Sequence, residues 1–166
     1  MQKSSIYIDK FTELVGRLAG FTLLTLSILI VYDALSRYLF HSGSIGLQEL
    51  EWHLFDIVMM LSIAYTLKYN QHVRVDLFYE HFSQKVKVYV DIFGILFLIL
   101  PFSSLIIIFS IDFISLSISQ LECSSDPGGL SSRYLIKSLM FFSFIIVVLQ
   151  AISETIKSFN KLKGLS

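Results

Sequence analysis

From Ile92 to Ile111 the chain carries no charged side chain. That run matches the length of α-helix that crosses the hydrocarbon core of a bilayer, about 20 residues at about 1.5 Å each. In lipid every backbone polar group must be satisfied within its own segment, so such a run is restricted to helix. Three more apolar blocks accompany it, and charged residues make up only 16% of the 166, below the roughly 25% of soluble domains. The expectation is an all-α integral membrane protein, residues 1–166 forming one domain. Its four spans are predicted at about 11–34, 47–69, 88–113 and 133–156.

Each span has a local grammar. In the first, Glu13 and Arg17, and then Asp33 and Arg37, stand four apart and can pair on a helix face. Arg17 can also snorkel to the interface. The stretch Tyr38 to Gly46 breaks the helix with two glycines and two serines. In the third span Pro101 should kink the helix or free a carbonyl, and the helical pattern continues from about Val86 to Ser119. Asp126-Pro127-Gly128-Gly129 is a turn signal. Ser131 or Ser132 can then cap the fourth span. Lys3 and Lys10 before an apolar block resemble a leader sequence, but no small-x-small cleavage site follows, so a retained span is expected. Cys123 is the single cysteine, which leaves no partner for an intramolecular disulfide.

Thirteen basic and thirteen acidic residues cancel, so a polyanionic partner such as nucleic acid is not indicated. Their distribution is uneven. With four spans, ten cations (Lys3, Lys10, Arg17, Lys68, Arg74, Lys85, Lys87, Lys157, Lys161, Lys163) share one side, against three (Arg37, Arg133, Lys137) on the other. The positive-inside rule places both termini in the cytoplasm.

The second span is the most polar. Glu49, Glu51, His53 and Asp56 lie in its first half, and Glu49, His53 and Asp56 share one helical face. Such a stripe is ill suited to bare lipid and calls for a protein neighbour or a wet groove. A metal centre would need ligands from other helices, which the other spans do not offer at matching depth. Bis-histidine haem needs imidazoles on facing helices, and only His53 stands within a span. No cofactor is expected. A self-sufficient carrier could centre on Asp56, but paired broken helices are missing. The elbow after this span, His72-Val73-Arg74-Val75-Asp76, alternates polar and apolar groups. It reads equally as an interfacial turn with Arg74 near lipid phosphate or as a contact with a partner.

Arg37-Tyr38-Leu39-Phe40 ahead of Gln48-Glu49-Leu50-Glu51-Trp52, and a second span ending in His72-Val73-Arg74-Val75-Asp76, resemble the small membrane subunit of tripartite ATP-independent periplasmic (TRAP) transporters, the DctQ-like family. Ser125-Asp126-Pro127-Gly128-Gly129-Leu130, then Arg133-Tyr134-Leu135-Ile136-Lys137 and Gln150, resemble one branch of it. The likeness covers roughly residues 10 to 157, and Ser131 departs from it where that branch often has proline. The resemblance implies a non-enzymatic accessory subunit in the bacterial inner membrane. It would brace a large membrane subunit that carries substrate and sodium, while a periplasmic substrate-binding protein delivers the substrate, commonly an organic acid. Arg37, Glu49, Glu51, Trp52, His53, Asp56, His72, Arg74 and Asp76 are then candidates for the interface with the large subunit. Arg133 and Lys137 lie in the first turns of a helix whose dipole disfavours cations. Glu122, Asp126 or lipid phosphate could offset them, and Asp126, Arg133 and Lys137 are candidates for docking the binding protein. The rival class is a stand-alone membrane protein, a redox anchor or a small exporter.

Overall fold

The computed structural model describes residues 2–69 and 81–165. These form α1 (Gln2–Phe40), α2 (Ile45–Lys68), α3 (Gln84–Gly94), a π-helical turn (Ile95–Ile99), α4 (Leu100–Ser119) and α5 (Arg133–Leu165). No strand occurs among the described residues. α3, the π turn and α4 run on as one rod, so four helices are long and apolar enough to cross a membrane: Ser5–Phe40, Ile45–Lys68, Gln84–Ser119 and Arg133–Lys163. The chain is a multi-pass membrane protein. One end of the bundle carries residues 41–44 and 120–132 (the loop end), and the other carries the start of α1 and the end of α5 (the terminal end).

Local chemistry sets the breaks. Ser44, in extended backbone, caps α2 by accepting the Leu47 N–H, and Ser83 caps α3 by accepting that of Val86. Pro101 has no N–H to donate, and its ring crowds the carbonyl four residues back. The rod absorbs this by widening: the Leu100 N–H reaches back five residues to the Ile95 carbonyl, a π-type bond. At the start of α5 neither Ser131 nor Ser132 makes a side-chain hydrogen bond among the described residues. Ser132 has φ 68, left-handed backbone rather than the extended conformation that aims a capping hydroxyl inward. The Arg133 N–H is taken instead by the Glu122 carbonyl at 3.0 Å.

α5 is the hub, packing against every other span, while α1 and α2 pack along each other. The bundle is apolar outside and polar within. Phe21, Ile28, Phe97 and Phe109 face outward, whereas the largest fully buried side chains are Gln150, Thr12, Asp33 and five serines. This is membrane logic: lipid solvates the apolar side chains, and small polar ones let helices approach and bond across. Ser103, Ser110 and Ser117 recur every seven residues and are all buried, forming one small-residue face on the third span. The Ser143 hydroxyl of α5 donates to the Met60 carbonyl of α2. Ala64, Leu67, Ile95, Val147 and Ala151 form a buried apolar cluster.

At the terminal end, side-chain bonds join α1 to α5. Thr12 donates to the Gln150 oxygen at 2.7 Å, and the Gln150 amide donates to Asp9 at 3.0 Å and to Glu154 at 2.8 Å. Lys157 pairs with Asp9 at 3.0 Å. Glu13 joins α1 to α2, accepting from Lys68 at 2.6 Å and the Tyr69 hydroxyl at 2.7 Å, with Arg17 at 3.5 Å. Just beyond, the Tyr65 ring lies where a Cβ on Gly16 would sit.

Candidate functional site

The polar first half of α2 divides between three environments. Glu49 turns inward to the loop end, where its carboxylate accepts the Ser124 hydroxyl, the Leu130 N–H at 2.5 Å and the Arg133 guanidinium at 2.9 Å. It thereby ties the 120–132 connection and the first turn of α5 to α2. The connection is shaped to reach it. Gly128 has φ +85, the left-handed region that glycine accepts freely. A Cβ on Gly129 would lie 2.3 Å from Ser124 Oγ and 2.8 Å from Glu49 Oε2.

Glu51 turns toward α1. Its Oε1 is buried without a hydrogen-bond partner among the described residues, as is Oδ1 of Asp33, whose other oxygen is bonded to Arg37. The Asp33–Arg37 and Glu13–Arg17 pairs expected from their spacing are both formed.

Trp52 faces outward with Phe55 and Met59, a strip at helical spacing exposed on the surface of the chain. His53 and Asp56 are partly exposed and make no hydrogen bond or ion pair among the described residues. Asp56 is one turn from Met60 and two from Glu49, both of which bond to α5 or the connection before it. The shared face of Glu49, His53 and Asp56 therefore runs beside this chain's own fourth span, and Glu49 is engaged within the chain. His72, Arg74 and Asp76 lie outside the described residues.

The cations at the start of α5 find carboxylates within this chain. Arg133 pairs with Glu49, and Lys137 pairs with Glu122 while standing 4.3 Å over the Phe113 ring. The Lys137 ammonium, and after it the Ser117 hydroxyl at 2.7 Å, hold the Glu122 carboxyl below its usual range against partial desolvation. Asp126 pairs with neither cation. It is exposed, and its backbone closes the turn, donating to Ser124 Oγ at 3.1 Å and accepting from Gly129 at 3.0 Å. Sequence reasoning named Glu122 and Asp126 as partners for these cations and missed Glu49, which lies 84 residues from Arg133. It also passed over Asp33 as a buried acid and the serine heptad on the third span, although the seven-residue spacing was readable.

These groups chiefly hold shape. They fasten the loop end, leave an aromatic strip open on α2, and strand two acidic oxygens between α1 and α2. Residues 26–161 match the family described as tripartite ATP-independent periplasmic transporters, DctQ component. The chain is also 28% identical over 149 residues to the sialic acid TRAP transporter permease protein SiaT of Haemophilus influenzae (strain 86-028NP), an alignment that takes in 84% of this chain and 22% of that longer protein. The buried polar helix contacts, the four spans and the match over most of the chain lead to one assignment: this protein belongs to the DctQ family, the small membrane component of TRAP transporters.

Proposed function

We propose that this chain is the accessory subunit of a sodium-coupled TRAP transporter for organic acids in the bacterial inner membrane. It braces the large transporting subunit and helps the periplasmic substrate-binding protein to dock. Membership of a transporter-component family implies association with a large membrane subunit. The observation that carries the bracing role is the surface of α2: Trp52, Phe55 and Met59 stand open on a helix that also bears Glu51, His53 and Asp56. A span with that many ionisable groups is better matched to a protein neighbour than to lipid. Arg37, Trp52 and the elbow residues His72, Arg74 and Asp76 extend the proposed interface, whereas Glu49, held by Ser124, Leu130 and Arg133, does not. One domain of four spans, touched by membrane lipid elsewhere, suffices for such a brace. The organic-acid class is supported by the sialic acid in the relative's name.

With the termini in the cytoplasm, the loop end faces the periplasm, and Asp126, Arg133 and Lys137 lie where a binding protein would settle. Because both cations already serve internal pairs, Asp126 is the one of the three whose charge is left to a docking partner. Reporter fusions after Lys163 and at Asn70 should report cytoplasm and one at Ser124 periplasm; a periplasmic signal at Asn70 reverses this orientation.

The decisive experiment is reconstitution. In liposomes with an inward sodium gradient, the chain alone should take up no organic acid, and uptake should require the large subunit and the binding protein together. Uptake by the chain alone would make it an exporter-type carrier, and a haem absorption band on purification would make it a redox anchor.

A further inference from the structure

Between α1 and α2, near the loop end, lies a cavity of about 390 Å³ walled by Ile30, Asp33, Ala34, Arg37, Tyr38 and Glu51. Asp33 stands seven residues before the end of α1, about 10 Å along the helix, and is 1% exposed. One of its oxygens bonds Arg37, while the other, together with Oε1 of Glu51, is buried with no partner among the described residues. Two carboxyl groups against one guanidinium leave one acid of the pocket without a basic partner among the described residues. A buried charge at membrane depth is retained only with a counter-charge.

We infer that this cavity receives a cationic side chain, an arginine or lysine, from a transmembrane helix of the large subunit. The inference rests on the accessory-subunit reading and specifies one of its contacts. The walls favour a side chain over a free ion. Ile30, Ala34 and the Tyr38 ring suit an aliphatic stem with a charged head. A sodium or calcium ion would need about six oxygen ligands at close range, and among the described residues no group of three or more His, Cys, Asp or Glu is placed to hold a metal. The cavity also exceeds one ion's needs. Tyr38, 82% exposed, stands at its edge, so the cavity opens toward the outside of the bundle.

The test uses the co-expressed, purified complex of both membrane subunits. Glu51→Gln removes the acid that no group among the described residues satisfies. It should leave the isolated chain's thermal stability unchanged or higher, yet reduce retention of the large subunit by about tenfold. Glu51→Lys, which puts a cation in the cavity from within, should reduce retention further. A benzoylphenylalanine replacing Tyr38 should crosslink to a large-subunit peptide carrying Arg or Lys within a helical turn of the attachment point. Full retention by Glu51→Gln, crosslinks to lipid alone, or an equal loss of stability in the isolated chain would each overturn the inference. Dissociation of the wild-type complex on removal of sodium or divalent cations would assign the cavity to a metal ion instead. If the wild-type chain retains no large subunit at all, the accessory reading itself fails, an outcome distinct from failure at Glu51 alone.

Discussion

Glu49→Ala is expected to release the connection at the loop end and lower the melting temperature of the purified chain by several degrees. Three donors converge on this carboxylate: the Ser124 hydroxyl, the Leu130 N–H and the Arg133 guanidinium. Hydrogen bonds to a charged group contribute about 1.5–3 kcal/mol each in net terms, and a donor left buried and unmatched costs more than the bond itself. Full additivity is not expected, because the Arg133 side chain is 35% exposed and regains water once its partner is gone. Glu49→Gln keeps the shape but can turn an amide N–H toward the Leu130 N–H, so it should fall between wild type and alanine. Thermal unfolding followed through Trp52, the sole tryptophan and one turn from residue 49, reads the stability. Limited proteolysis between residues 123 and 129 reads the loop. Cleavage and melting unchanged in Glu49→Ala would show that the connection is held by its turn alone.

The second large effect is expected at Gly16. An ideal Cβ there would lie 2.0 Å from Cδ2 and 2.5 Å from Cγ of Tyr65. Cγ is the root of the ring and cannot swing aside as a flexible tip would, so α1 and α2 must separate or Tyr65 must change rotamer. Overpacking of this kind typically costs about 1–3 kcal/mol, and Gly16→Leu should exceed Gly16→Ala. The displacement reaches further, since Tyr65 packs on Tyr69 at 4.8 Å between centroids and Tyr69 donates to Glu13. Gly20 supplies the control. Nothing lies within 4 Å of a Cβ built there, so Gly20→Ala should be neutral or stabilising, by up to about 1 kcal/mol from helix propensity. Pairing Gly16→Ala with Tyr65→Leu should recover part of the loss. Equal effects at the two glycines would disprove the close approach. Melting of the detergent-purified variants decides it.

The same contrast shows what could be read from residues in order. Gly16 and Gly20 are four apart, the spacing of small residues at helix crossings, and nothing in their neighbours says which one meets another helix. Asp33 and Arg37 were readable as a pair because four residues make a helical turn, whereas Glu49 and Arg133 meet only because α2 and α5 run side by side. The stripe of Glu49, His53 and Asp56 follows from periodicity once α2 is helical. Which neighbour that face meets depended on the rotation of α2 in the bundle, and the structure sets it beside α5. Ser131 and Ser132 fit the composition of a cap, yet the left-handed backbone at Ser132 gives the Arg133 N–H to the Glu122 carbonyl instead.

The sequence by itself determined that the chain is helical and crosses the membrane four times, because backbone satisfaction in lipid is local and a charge-free run of sufficient length has few alternatives. It also carried the DctQ-type motifs in order. Only the tertiary structure decided that α5 is the hub, that Arg133 belongs to Glu49, and that Asp33 and Glu51 open on one cavity with an oxygen each unmet. The physical reason is that outward apolar side chains on every span gain nothing from one packing over another in lipid. Association is therefore chosen by small residues and long-range polar contacts, whose partners lie up to 148 residues apart.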